Sequence, residues 1–98
     1  MTSAIHLPAA LRASVGGQRL VPTGGLTVGL ALDELKDSQP QLERRIRDEQ
    51  GQVRQHIRIY LGDTDIESLA GLKTRLSEGA QIYIIPAVSG GCAGRSQS

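Results

Sequence analysis

The stretch Gln81-Ile82-Tyr83-Ile84-Ile85-Pro86-Ala87-Val88-Ser89-Gly90-Gly91 decides how the rest of the chain is read. Gln81 to Val88 reads as a strand, with Ile82 and Ile84 on one face and Tyr83 and Ile85 on the other. It runs straight into two glycines. Taken alone, a diglycine near a terminus is a flexible end. What precedes it gives it another meaning.

Val53 to Leu61 has the same period of two: Ile57, Ile59 and Leu61 on one face, His56, Arg58 and Tyr60 on the other, ending at Gly62-Asp63. Ala4 to Leu7 alternates too, with Ile5 and Leu7 inward and His6 outward, and stops at Pro8. Gln18-Arg19-Leu20-Val21 is a short strand stopped by Pro22, and the two N-terminal strands fit a hairpin with a long loop. A helix follows Gly24-Gly25. Thr27 is its N-cap, and Val28, Ala31, Leu32 and Leu35 form one apolar stripe at i, i+3, i+4 and i+7. Asp33, Glu34, Lys36 and Asp37 take the remaining faces, and Pro40 ends the element at Gln39.

Leu42 and Ile46 anchor one or two further turns, Asp48 to Gly51 is a turn, and Ile66, Leu69, Leu72 and Leu76 anchor a compact irregular segment with a short helix. The order is strand, strand, helix, strand, short helix, strand. The expected class is α+β, a mixed sheet of four to five strands with one main helix packed on one face.

With 98 residues there is room for one core. We expect one domain over residues 1–89 and a flexible tail over 90–98. Leu, Ile and Val make up about a quarter of the chain and the net charge is +1, too apolar and too neutral for disorder. With no Phe, no Trp and two Tyr, the core is aliphatic. The near-neutral balance makes no strong claim on nucleic acid or an anionic membrane, and no apolar run approaches the ~20 residues that span a bilayer. The start, Met1 to Pro8, lacks the basic and apolar regions of a secretory signal, and one cysteine makes no internal disulfide, so the expected location is cytoplasmic.

Residues with chemical potential are few. Cys92 with His6 or His56 has no third group to orient it as a nucleophile–base pair. One Cys and two widely separated His show no zinc-like spacing. Asp33/Glu34, Asp48/Glu49 and Asp63/Asp65 read as solvated surface charge. Gly90 to Gly94 lacks the following helix that a phosphate-cradling loop requires. Arg44, Arg45, Arg47, Arg54 and Arg58, interrupted by Glu43, Asp48 and Glu49, read as a solvated helix face in preference to the alternative, an anion or partner site.

Several stretches, taken in order, carry a resemblance. They are Leu7-Pro8-Ala9-Ala10-Leu11-Arg12, Leu26-Thr27-Val28-Gly29, Gln39-Pro40-Gln41-Leu42 and Ile57-Arg58-Ile59-Tyr60-Leu61-Gly62-Asp63. The most specific are Gly71-Leu72-Lys73-Thr74-Arg75-Leu76 and Ile84 to Gly91. Together they resemble the MoaD/ThiS family of ubiquitin-like sulphur carriers, on the MoaD side, although that family commonly has Asn where Leu61 stands. The resemblance implies a β-grasp fold and a carrier that is not itself an enzyme. It implies that Gly91 bears the working carboxylate and Gly90 gives it reach. An E1-like (MoeB/ThiF-type) enzyme would adenylate Gly91 with ATP, and a sulphide source would convert it to a thiocarboxylate that supplies a sulphur-accepting biosynthetic enzyme. The chain itself would bind no cofactor and no metal.

Gly91 is followed here by Cys92 to Ser98. Some family members resemble this and are trimmed by a JAMM-type zinc metalloprotease, so cleavage between Gly91 and Cys92 is expected. Strand alternation puts His6, Arg58, Tyr60, Tyr83 and Ile85 on the sheet face opposite the helix, the expected partner-binding face.

Overall fold

The computed structural model describes residues 2–12 and 16–86. Its elements, in order, are β1 (Ser3–His6), α1 (Ala9–Arg12), β2 (Leu20–Thr23), α2 (Val28–Ser38), α3 (Pro40–Ile46), β3 (Ile57–Leu61), β4 (Thr64–Asp65) and β5 (Gln81–Pro86). Short 3-10 turns lie at Ile66–Ser68 and Gly71–Lys73.

Thr27 starts the main helix as its residue type suggests. Its backbone is extended, and its hydroxyl accepts from the Leu30 N–H at 3.1 Å, satisfying an amide that has no partner within the helix. The stripe Val28, Ala31, Leu32 and Leu35 is buried along its length. The helix ends where Gln39 donates its N–H to the Leu35 carbonyl, and Pro40, which has no N–H to lose, opens α3.

The sheet has the order β2-β1-β5-β3-β4, and β1 and β5 form its central, parallel pair. Every other pairing is antiparallel. A parallel pair needs a crossover between its strands, and here the intervening chain carries α2 and α3. This is a β-grasp fold, with five strands and, besides the main helix, the short α1 and α3. Ile5, Val28, Leu32, Leu35, Leu42, Ile46, Ile59 and Ile82 are fully buried between the layers, and no aromatic ring joins them. Each contributes about 1.5–3 kcal/mol by leaving water.

Five local expectations are corrected. The second strand runs from Leu20 to Thr23, through Pro22 rather than stopping at it, because β2 is an edge strand and the ladder needs no N–H from Pro22 where it pairs with Ala4. The third strand begins at Ile57 rather than Val53, because Val53 forms a lone bridge with Arg47 and the Ile57 N–H turns back to the Arg54 carbonyl. His56 therefore precedes the strand. Leu69 is 47% exposed and anchors nothing, whereas Ile66 and Leu76 are buried. Thr64 and Asp65 add an edge strand that two residues were too few to announce.

Finally, Arg47 does not belong to a solvated face: it is 6% exposed. Its Nε donates to buried Glu43 at 2.6 Å and an Nη donates to Asp33 at 2.8 Å, tying α3 to α2. Burial pushes the guanidinium's pKa down, but the hydrogen bonds to Asp33 and Glu43 and their negative charges outweigh it and hold the pKa above its ordinary value.

Candidate functional site: the open sheet face and the end of the central strand

Alternation along each strand sends one set of side chains under the helices and the other to the open face. Strand register then lines up the second set. His6 lies opposite Leu20 on β2 and Tyr83 on β5; Tyr83 lies opposite Tyr60 on β3; Tyr60 lies opposite Asp65 on β4. One rung thus crosses all five strands. On β5 and β3, the next open-face position toward the end of β5 pairs Ile85 with Arg58. His6, Arg58, Tyr60, Tyr83 and Ile85 are therefore neighbours on one surface.

The rung is partly locked. The His6 and Tyr83 rings stack with centroids 4.3 Å apart and planes 16° from parallel. His6 Nε2 also hydrogen-bonds the Gln81 side-chain oxygen. Arg58 lies 3.5 Å from Glu67 with both side chains in solvent, a contact of little energetic weight. Leu20, Tyr83 and Ile85 are 41%, 36% and 41% exposed among the described residues, an apolar set on the open face. Leu20 was not among the residues expected here. Its face follows only from its register with His6, which the hairpin sets.

Strand direction fixes where the chain leaves this surface. Ile57, the first residue of β3, pairs with Pro86, the last of β5. Gly91 follows Pro86 by five residues in sequence. Gly90, Gly91 and Cys92, the expected diglycine and processing positions, lie outside the described residues. Among the described residues no group of three or more His, Asp or Glu side chains is placed to hold a metal. His6 lies at mid-sheet and His56 before β3. No described helix is long and apolar enough to cross a membrane. What the face offers is contact chemistry: apolar and aromatic area, with polar groups at its margin.

A β-grasp domain whose middle strand leads toward a diglycine defines the ubiquitin-like class. Within that class the chain belongs to the ThiS family, whose model matches residues 5–91. The sulphur carrier protein CysO of Mycobacterium tuberculosis is 31% identical over 93 residues, covering 93% of this chain and all of that protein. Its crystal structure superposes with a TM-score of 0.80, covering 87% of this chain and 98% of that one. CysO in the BexX/CysO complex of Amycolatopsis orientalis gives a TM-score of 0.82 at 28% identity, over 91% of this chain and 99% of that one. The small archaeal modifier protein 1 of Methanosarcina acetivorans gives 0.78 at 32% identity, over 92% and 96%.

Proposed function

We propose that the chain is a sulphur carrier, made as a precursor and used as a protein co-substrate rather than a catalyst. The observation that carries this reading is where the family match closes: it ends at Gly91, with Cys92 to Ser98 beyond it. The likeness to a protein named as a sulphur carrier supports the same role.

The chemistry runs in three steps. A metalloprotease of the JAMM type adds water across the Gly91–Cys92 peptide bond, leaving a carboxylate on Gly91 and an amine on Cys92. An E1-like adenylating enzyme then lets a Gly91 carboxylate oxygen attack the α-phosphorus of ATP, with pyrophosphate leaving. Sulphide attacks the acyl carbon of this mixed anhydride and AMP departs, so that Gly91 ends in a thiocarboxylate. A carboxylate resists nucleophiles until it bears such a leaving group. Two glycines present no side chain to obstruct a narrow channel and adopt backbone angles closed to other residues. The sulphur then passes to an acceptor bound by a biosynthetic enzyme.

Replacing Gly91 with Leu tests the reading. It is expected to abolish both cleavage and sulphur loading while leaving the fold intact; normal processing of Gly91→Leu would contradict it. A second reading, conjugation of Gly91 to lysines, draws support from the likeness to a small archaeal modifier protein. Lysine-linked conjugates in native extracts would favour it. If the tail is inert, deletion from Gly90 onward changes neither.

A further inference from the structure

Two grooves flank Pro86, the last described residue before the tail. One, of about 500 Å³, is lined by Arg44, Arg45, Arg54 and His56 over the apolar floor of Leu11 and Ile57. The other, of about 390 Å³, carries Arg12 and Arg19 beside Tyr83 and Ile85. Among the described residues no carboxylate lines either groove.

The topology explains the concentration. β1 and β5 point the same way, so the chain leaves β1 into Arg12 at the end of the sheet where β5 finishes. β2 and β3 run the opposite way and start there, bringing Arg19, Arg54 and His56. The other end of the sheet holds Asp63 after β3 and Glu78 before β5. With the whole chain at +1, the five arginines leave the remainder at −4.

None of the five makes an ion pair among the described residues. Two are nevertheless held in place. Arg54 Nε donates to the Arg44 carbonyl at 2.7 Å, and Arg12 Nε donates to the Leu7 carbonyl at 3.2 Å. Guanidinium groups already positioned lose less freedom when they meet carboxylates.

From this arrangement we infer that Arg12, Arg19, Arg44, Arg45 and Arg54 form a collar that docks against an acidic protein surface around the channel mouth of the enzyme that adenylates Gly91. The inference rests on the carrier reading and adds the chemistry of the partner's rim. A protein fits better than a nucleic acid because the collar is continuous with the apolar patch of Tyr83 and Ile85, which a protein surface buries and a phosphate backbone does not. The collar acts on encounter: charge at the rim of an interface chiefly sets the association rate and its salt dependence.

The test adds the full-length chain to native cell extract with ATP and sulphide, and follows intact mass at about 50 and about 300 mM salt. Mass separates cleavage from the later exchange of oxygen for sulphur. R44E/R45E/R54E and, independently, R12E/R19E are compared with D63K/E78K at the opposite end, each checked for cooperative unfolding. The expected result is a fall of at least about tenfold in the sulphur-loading rate for the collar variants at low salt, and none for D63K/E78K. Wild type is expected to slow steeply with salt, which tests the collar without any substitution.

Equal rates for all proteins at both salt levels would overturn the collar while the carrier reading stands. Equal slowing of collar and opposite-end variants would overturn it too. Retention of wild type, but not R44E/R45E/R54E, on a single-stranded RNA probe with unchanged loading would reassign the collar to nucleic acid. Absence of thiocarboxylate even in wild type would overturn both readings.

Discussion

His6 on β1 lies flat against Tyr83 on β5, their ring centroids 4.3 Å apart, at the parallel pairing that joins the first strand to the last. The stack sits in the rung from Leu20 to Asp65 and holds the orientation of Tyr83. A rigid, half-exposed aromatic ring loses little side-chain freedom on docking, which is why such rings anchor interfaces. The open face is thus organised by the same β1–β5 pairing that centres the sheet.

Ile85 provides the cleanest probe of that face. Ile85→Asp places a charge in the apolar patch, and affinity for the adenylating enzyme is expected to fall by about tenfold or more, roughly 1.4 kcal/mol. Because the residue is 41% exposed, stability should move by less than about 1 kcal/mol. Calorimetric titration and thermal melts measure the two separately. Undiminished affinity would remove this face from the docking account.

Arg47 should behave as a buried structural charge. Arg47→Met leaves Glu43 buried without its partner and is expected to cost about 3–5 kcal/mol in urea unfolding. Adding Glu43→Leu should recover most of the loss, since two apolar side chains then replace the pair. With its pKa held above the ordinary arginine value, the guanidinium contributes fully from neutral pH up to that range, and on the alkaline side the contribution is lost only as pH rises through the raised value. The Arg47→Met penalty should accordingly be the same at pH 7 and about pH 9.

Gly25 is fixed by packing against the main helix. A Cβ there would stand 2.5 Å from the Ala31 nitrogen and 2.7 Å from its Cα, both backbone atoms that cannot move aside. Gly25→Ala is expected to destabilise by about 1–3 kcal/mol. An unchanged urea midpoint would mean that the loop before α2 shifts to make room.

The hydroxyl of Thr27 caps α2, and Thr27→Ala should cost about 1 kcal/mol, with Thr27→Ser recovering most of it. The same urea series measures it. Equal stability of the Ala and Ser variants would show that water replaces the cap.

These residues mark what local sequence could disclose. Val28, Ala31, Leu32 and Leu35 announced α2 because a helix packed on one layer must carry one apolar stripe. The alternation around Ile59 and Ile84 announced strands buried on one face. Arg47 was not legible, because its burial depends on Asp33 lying across the helix pair, 14 residues away in sequence. Leu69 misled, since an apolar residue at regular spacing need not face inward. Leu20 and the collar both needed topology: a hairpin register for the first, and the common end of four strands for the second. Arg12 and Arg44 carry no local mark of having been gathered beside Pro86.

The most direct test is the intact mass of the protein recovered from its native cells. The carrier account predicts a chain that has lost Cys92 to Ser98 and whose Gly91 terminus is heavier by the difference between one sulphur and one oxygen. A full-length mass under every growth condition would contradict it.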